Sequence, residues 1–205
     1  MRKAPVNSSR SSCSVRLMGI PDTSFDGLTV YTLGHSTLST EEFIDLLWAH
    51  GVEQIADIRT VPKSRKNPQF WSDTLEESMA AVGLGYQWFE KLGGLRKVEK
   101  DSPNGAWRNK SFQGYADYMQ TQGFTEGLAE LQEFAALRPT TIMCAEAVPW
   151  RCHRSLVGDA ILVRGGEVLD IFSKTSVKPE RLTGFAQVEG TNITYPPSGD
   201  GENKR

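Results

Sequence analysis

The sequence predicts an α/β fold: a single domain with a mostly parallel sheet and helices on both of its faces. Strand-like and helix-like segments alternate along the 205 residues. Between residues 28 and 58 a strand, a helix and a strand follow one another with short joins, which is a βαβ unit with parallel strands and a right-handed crossover. The 39% hydrophobic content is enough for one core.

The first elements are marked by their start and stop residues. Leu28–Leu33 is rich in residues of high β-propensity and predicts the first strand. Ser39 and Glu42 form a capping box that begins a helix, and Gly51 is placed to end it. Gln54–Ile58 predicts the second strand.

The later elements are predicted by the same rules of periodicity and punctuation. They are a helix from Asp73 to about Gly83, a strand at Gly85–Phe89, helices at Tyr115–Met119 and Thr125–Leu137, a buried strand at Thr140–Met143, a helix at Ser155–Val163 and a last strand at Glu167–Phe172. The polar stretch from Leu92 to Ser111 is longer than an ordinary connection, so it is either a flexible insertion or a functional lid.

Both ends of the chain lack periodic apolar residues. Residues 1–27 are rich in Ser, Arg and Pro and predict a disordered N-terminal extension, and residues 174–205 predict a disordered C-terminal tail. The domain is therefore expected to span residues 28–173.

Composition bears on three properties: nucleic-acid binding, membrane insertion and the redox state of the compartment. The net charge of -2 gives no overall basic footprint, so binding of duplex nucleic acid is not implied by charge. No apolar run approaches membrane-spanning length, and we expect no membrane partner. The three cysteines do not resemble a disulfide framework, which favours a reducing, cytoplasmic location.

Three loops carry chemically active residues, and each follows a predicted strand. They are Gly34–Ser36, Asp57–Arg59 and the loop from Cys144 to Arg154. Because the carboxyl ends of parallel strands lie at one edge of a sheet, we expect the loops to converge. The candidate catalytic residues are His35, Glu146 and His153 as acids or bases and Cys144 and Cys152 as nucleophiles. The candidate anion-binding residues are Ser36, Asp57, Arg59, Arg151, Arg154 and Tyr115.

Several motifs in this order resemble the domain-of-unknown-function family 488. They are Gly34-His35-Ser36, Asp57-Ile58-Arg59 with Pro62 and Ser64, Leu92-Gly93-Gly94, Gly114 to Met119, and Cys144-Ala-Glu146 with Cys152-His153-Arg154. The resemblance covers roughly Leu28 to Phe172. It supports the fold and the location of the site, and it implies no particular reaction.

A looser similarity is to rhodaneses and cysteine phosphatases, in which a cysteine after a strand begins an anion-binding loop that ends in arginine at a helix N-terminus. In those enzymes the arginine lies six residues after the cysteine. Here Arg151 and Arg154 lie seven and ten residues after Cys144, and Pro149 and Trp150 replace small residues.

The leading hypothesis is an enzyme whose pocket binds an anionic, phosphate or nucleotide-like ligand, without a cofactor. One alternative is a non-catalytic module for a nucleotide or single-stranded nucleic acid, with the basic Arg59–Lys66 loop along phosphates and Phe70, Trp71 or Trp88 stacking on bases. Another is a metal-dependent enzyme with Cys144, Cys152, His153 and His35 as ligands. Two features argue against it: the ligand spacings match no standard zinc-finger or deaminase pattern, and two arginines lie in the same loop.

The candidate residues also have structural interpretations. Both cysteines could be buried structural thiols, His35 a histidine satisfied within its turn, and Glu146 an ion-pair partner of Arg59 or Arg154. His50, beside Gly51 at a helix end, is interpreted as structural. The oligomeric state is not predicted by the sequence.

Overall fold

The computed structural model describes residues 23–197, which contain five α-helices and eight β-strands. The strands are β1 (Thr29–Gly34), β2 (Gln54–Asp57), β3 (Gly85–Trp88), β4 (Thr140–Cys144), β5 (Glu167–Ser173), β6 (Ser176–Pro179), β7 (Gln187–Glu189) and β8 (Asn192–Thr194). The helices are α1 (Thr40–Ala49), α2 (Ser72–Ala81), α3 (Lys110–Tyr118), α4 (Gln122–Ala135) and α5 (Arg154–Leu162).

Six strands form one sheet in the order β3-β2-β4-β1-β5-β6, and β7 pairs with β8 in a separate hairpin. The first five strands of the sheet are parallel, and β6 is antiparallel to β5. Strand β4 lies between β1 and β2, with Gly34 opposite Cys144 and Asp57 opposite Met143. The mostly parallel α/β sheet is therefore confirmed, and the loops after β1, β2 and β4 leave it at one edge.

Helices cover both faces of the sheet, as predicted. Helices α1 and α2 contribute Phe43, Leu47, Leu75 and Met79 to one core cluster, and α3, α4 and α5 contribute to the other. Since side chains alternate along a strand, Met143 of β4 faces the first cluster, and Ile142 and Cys144 face the second. Cys144 therefore lies on the same side of the sheet as α5.

The predicted capping box is present at the start of α1. The Ser39 hydroxyl accepts from the backbone N–H of Glu42, and the Glu42 carboxylate accepts from the backbone N–H of Ser39. Helix α3 begins five residues earlier than predicted, because the side chain of Asn109 caps it by accepting from the N–H of Ser111. The predicted helix began at Tyr115 because the first turn of α3 is mostly polar.

The long connection before α3 is tied down by one buried carboxylate. Asp117 of α3 accepts from the backbone N–H of Glu99, from the Ser102 hydroxyl and from the side-chain amide of Asn104. This segment is therefore held against α3 at three points, which disfavours a freely flexible insertion.

The expectation of a disordered tail after residue 174 requires correction for residues 174–197. This segment forms β6, β7 and β8, and it contributes Ile193 and Tyr195 to the core cluster that also contains α5. Tyr195 donates its hydroxyl hydrogen to Asp159 of α5, at 2.8 Å. Two apolar residues in a polar stretch produce no periodic signal, although each is almost fully buried.

At the other end, Phe25 is buried in the same cluster, so the ordered domain begins before Leu28. The predicted N-terminal extension at residues 1–22 lies outside the described residues. No helix among residues 23–197 is long and apolar enough to cross a membrane.

Candidate functional site

A cavity of about 410 Å³ opens at the edge of the sheet where the three loops converge. Its walls come from the loops after β2 and β4, from the segment after β3 and from the start of α3. They are lined by Arg59, Thr60, Val61, Gly94, Leu95, Asn109, Ser111, Phe112, Cys144, Ala145, Glu146, Arg151, Cys152 and His153. The volume is that of a small-molecule site.

Three of the predicted catalytic residues form a compact cluster on this cavity. The Nδ1 atom of His153 is 4.0 Å from the sulfur of Cys144 and 3.7 Å from the sulfur of Cys152. The two sulfurs and the nitrogen all lie within 4.8 Å of one another. Cys144 is the last residue of β4, and the other two precede α5, so the fold joins residues from the two ends of one loop.

The orientation of the His153 ring is determined by its other nitrogen. Nε2 lies 2.9 Å from the carbonyl oxygen of Ile58, and a carbonyl can only accept, so Nε2 carries hydrogen. In the neutral imidazole, Nδ1 then has its lone pair directed at the sulfurs. Tyr115 packs its ring 4.9 Å from that of His153, and its hydroxyl donates to the carbonyl of Leu92. Tyr115 therefore supports His153 and does not line the cavity.

Gly94 allows the segment after β3 to approach this imidazole. A Cβ atom at position 94 would lie 2.9 Å from Nδ1 of His153 and 3.2 Å from Cε1. Any larger residue would displace the ring that faces the two sulfurs. The close packing explains why a glycine occupies this part of the Leu92-Gly93-Gly94 motif.

The two cysteines have different environments although they are neighbours. The pKa of Cys144 lies well below the usual range for a thiol, because its sulfur interacts with the neighbouring Cys152 thiol and also with His153 and the N–H of Glu146. The interaction with Cys144, together with burial, raises the pKa of Cys152. The backbone N–H of Arg154 donates to the sulfur of Cys152 at 3.4 Å. The pKa of Cys144 is therefore shifted downward and that of Cys152 upward.

Arg154, which was predicted to bind an anion, contacts the backbone of the loop after β4. It is 1% exposed and does not line the cavity. Its NH1 and NH2 atoms donate to the backbone carbonyls of Glu146 and Ala147, at 2.5 and 3.0 Å. A Cβ atom at Gly34 would lie 1.7 Å from the carbonyl oxygen of Glu146, so only glycine allows β1 to approach the loop this closely. Arg154 and Gly34 together hold the loop that carries Cys144.

His35 and Arg59 belong to a buried network at the ends of β1 and β2. The guanidinium of Arg59 forms an ion pair with Asp57 and donates to Nε2 of His35 at 3.3 Å. Tyr86 donates its hydroxyl hydrogen to the same carboxylate. Burial and the charge of Arg59 lower the pKa of His35 to about 4, so its ring is neutral at pH 7. Asp57 already neutralises Arg59, which weakens the expected role of Arg59 as an anion-binding charge.

The turn interpretation of His35 fits these contacts. Its ring is stacked on Phe70, with 4.1 Å between centroids, it is 1% exposed, and it does not line the cavity. Ser36 follows with a φ of 45° and donates its backbone N–H to the carbonyl of Ala145. These two residues donate backbone hydrogen bonds to the loop after β4, and neither lines the cavity.

Glu146 and Arg151 are exposed side chains on the cavity wall. The ion pairs between residues 23 and 197 do not include Glu146, so its predicted pairing with Arg59 or Arg154 does not occur there. Its carboxylate is available to a bound molecule.

The aromatic residues proposed for base stacking are largely engaged. Phe70 is fully buried, and the indole N–H groups of Trp71 and Trp88 donate to the carbonyls of Ser64 and Arg59. Trp71 and Trp88 are 39% and 40% exposed. Only part of each indole face is therefore open to a nucleobase.

Several residues of the cavity wall were not among the predicted site residues. Thr60, Val61, Leu95, Asn109, Ser111 and Phe112 lie in loops or at the start of α3. Asn109 is the one sequence signal that could have indicated them, because asparagine is a good helix N-cap residue. It would have predicted that α3 starts directly after the polar loop.

One comparison with known proteins identifies a family. The family model described as "Domain of unknown function DUF488" matches residues 39–161, which is more than half of the chain. The matched segment includes Asp57, Arg59, both cysteines of the cluster and His153. No curated protein and no solved structure matches the chain in the other two comparisons.

Proposed function

The chain belongs to the family described as domain of unknown function DUF488, and we propose that it is a metal-dependent enzyme. Cys144, Cys152 and His153 are the ligands of a zinc-type ion, and the cavity is the substrate site. The observation that carries the proposal is the convergence of two sulfurs and one ring nitrogen within 4.8 Å at the cavity wall.

The sulfur-to-nitrogen distances are close to those around a tetrahedral ion. Zinc lies at about 2.3 Å from sulfur and about 2.0–2.1 Å from imidazole nitrogen, so on a tetrahedron a sulfur and a nitrogen are about 3.6 Å apart and two sulfurs about 3.8 Å apart. The observed sulfur-to-nitrogen distances are 3.7 and 4.0 Å, and the two sulfurs lie within 4.8 Å of each other. To complete the site the nitrogen would move by a few tenths of an ångström, and the two sulfurs would approach each other by up to about 1 Å.

The surrounding groups are those that support such ligands. His153 donates its second ring N–H to the Ile58 carbonyl, an outer contact typical of histidines that bind metals. The backbone N–H of Arg154 donates to the sulfur of Cys152, and the N–H of Glu146 interacts with the sulfur of Cys144. Two thiolates and an imidazole are ligands that zinc prefers.

Of the two arginines of the loop that argued against a metal, Arg154 donates to two backbone carbonyl oxygens, and Arg151 is exposed on the cavity wall. The guanidinium of Arg59 is paired with Asp57. Three protein ligands with a fourth position facing a cavity are the arrangement of catalytic zinc sites, in which the ion lowers the pKa of a bound water. Such a site would serve a hydrolase or a transferase.

A second candidate is the cofactor-free enzyme of the leading sequence hypothesis, with Cys144 as a nucleophile toward an anionic substrate. The lowered pKa of Cys144 favours it, since a thiolate is the reactive form. Metal-free protein would then be fully active, and iodoacetamide would label Cys144 rapidly near neutral pH.

The experiment that tests the proposal measures bound zinc in the purified full chain by elemental analysis, with affinity from competition against a chromogenic chelator. We expect one zinc per chain. The variants Cys144→Ser, Cys152→Ser and His153→Asn should each lose more affinity than the roughly 10–100-fold typical of outer-shell changes. Cys13→Ser is the matched cysteine control and should bind like the wild type.

The proposal fails if the wild type binds no zinc, or if the three variants bind it as tightly as Cys13→Ser does. Iodoacetamide labelling of Cys144 that is equally fast with and without zinc would favour the nucleophile instead.

A further inference from the structure

We infer that Glu146 is the proton-transfer residue of this centre, and that the bond hydrolysed is the carbon–nitrogen bond of a small, flat, amino-substituted heterocycle such as a nucleobase. This inference rests on the proposed function, because it needs the water that an ion at Cys144, Cys152 and His153 would activate. It adds the identity of the acid–base group and the class of substrate.

The position of Glu146 supports the first part. It is two residues after Cys144, and its side chain lines the same cavity as both sulfurs and His153. The backbone of Glu146 is immobilised, since its carbonyl accepts from Arg154 and its N–H interacts with the sulfur of Cys144. Its carboxylate takes part in no ion pair among residues 23–197. A fixed backbone with an uncommitted carboxylate beside the ligand cluster is suited to proton transfer.

The chemistry of the leaving group supports the second part. An amine is expelled only after it has been protonated, so an acid–base group must take a proton from the attacking water and give it to the nitrogen. One carboxylate beside a single soft-ligand ion can do both, as in zinc deaminases, where a histidine and two cysteines hold the ion and a glutamate that is not a ligand transfers the protons. The spacing of Cys144, Cys152 and His153 differs from the deaminase motif, so the comparison concerns the set of ligands and not the motif. Phosphoryl transfer more often uses two ions bound by oxygen ligands.

The cavity has the size and lining for such a ring. Its volume of about 410 Å³ is at the small end of ligand sites. Phe112, Val61 and Leu95 provide apolar surface for a flat face, and Thr60, Asn109 and Ser111 provide hydroxyl and amide groups for ring nitrogen and oxygen atoms.

The reaction is balanced by water alone. The water oxygen forms a bond to the carbon that carries the amine, while Glu146 accepts one proton from that water and delivers it to the adjacent ring nitrogen, which takes up the electron pair of the opened carbon–nitrogen double bond. Glu146 then transfers the remaining hydroxyl proton to the amine. The bond between the carbon and the amine breaks, and the products are the oxo form of the ring and ammonia. No oxidant or reductant is required.

The test measures ammonia released by the zinc-loaded full chain from cytosine, adenine, guanine and their nucleosides, with p-nitrophenyl acetate and p-nitrophenyl phosphate assayed in parallel. We expect release from at least one of the six amines. Glu146→Gln should lower that rate by about 10²–10⁴-fold at unchanged zinc content. Glu76→Gln, an exposed glutamate on α2 away from the cavity, should be unaffected.

Each other outcome contradicts a specific statement. A zinc-loaded protein that hydrolyses either p-nitrophenyl ester and none of the amines, or is inactive on all eight compounds, overturns the substrate class and leaves the metal site standing. A Glu146→Gln variant that keeps more than half of the wild-type rate overturns the role of Glu146. A chain that binds no zinc overturns the proposed function, and this inference with it.

Discussion

Replacement of Arg154 by alanine should destabilise the protein strongly and loosen the loop that carries the cysteine cluster. Arg154 is 1% exposed, and its guanidinium donates to the carbonyls of Glu146 and Ala147. These residues immediately follow Cys144, so the side chain connects the first turn of α5 to the cavity wall. No other side chain between residues 23 and 197 donates to these two carbonyls.

The size of the effect follows from the two bonds. A hydrogen bond from a charged donor contributes about 1.5–3 kcal/mol, so the loss of two costs about 3–6 kcal/mol. Whole domains are stable by only about 5–15 kcal/mol. For a protein of this length, each kcal/mol corresponds to roughly 2–4 °C, so the melting temperature should fall by roughly 6–24 °C.

The assay is urea and thermal unfolding followed by circular dichroism. Arg154→Lys should lie between the wild type and Arg154→Ala, because an ammonium group cannot span both carbonyls as the planar guanidinium does. Arg138→Ala, at an exposed position after α4, is the matched control and should stay within about 0.5 kcal/mol. If the cluster binds zinc, Arg154→Lys should also weaken that binding about 10–100-fold, as outer-shell changes do.

An unfolding free energy of Arg154→Ala within 1 kcal/mol of the wild type would refute this reasoning. The original anion-binding hypothesis makes a different prediction, namely that phosphate stabilises the wild type and that this effect disappears in Arg154→Ala. We expect phosphate to change the stability of Arg154→Lys and of the wild type by the same amount, because the guanidinium does not line the cavity.

Two further changes test the C-terminal segment. Burial, with Asp170 and Asp159 nearby, raises the pKa of Glu180 to about 9, so the folded chain keeps a proton that the unfolded chain loses near pH 4.5. Stability should therefore fall as pH rises from about 4.5 to about 9. In thermal unfolding, Glu180→Gln should raise the melting temperature at pH 8 but not at pH 4. Equal shifts in melting temperature at both pH values would contradict this. Deletion of residues 175–205 should cost more than about 3 kcal/mol in urea unfolding, because removal of a large buried aromatic alone costs about 3–5 kcal/mol. A deleted chain as stable as the full chain would show that Tyr195 adds nothing to the core.

The parts of the fold that could be predicted are those with a local signal. The capping box at Ser39 and Glu42 and the apolar face of α1 are encoded within one turn or two, and the structure has both. The short joins of the βαβ unit dictate parallel strands, which in turn dictates that the loops after β1, β2 and β4 meet. For this reason the location of the site was predictable without any contact being known.

The segments that could not be predicted depend on distant partners. Strands β6, β7 and β8 have few buried residues. Tyr195 packs against Trp107 and Phe185 and donates its hydroxyl hydrogen to Asp159 of α5. The start of α3 at Lys110 depends on the cap at Asn109, in a polar stretch without periodicity. Neither kind of contact leaves a pattern among sequence neighbours.

The sequence by itself determined which groups stand at the sheet edge: two cysteines, two histidines, a glutamate and three arginines, each after a strand or before a helix. Only the tertiary structure decided what each one faces. The alternation along β4 turned Cys144 toward α5, and the Ile58 carbonyl oriented His153 toward both sulfurs. The close approach at Gly34 places the loop carbonyls beside Arg154, and Asp57 forms an ion pair with Arg59. A charged or nucleophilic side chain binds whichever partner the packing brings within about 3 Å, and that partner is rarely a neighbour in sequence.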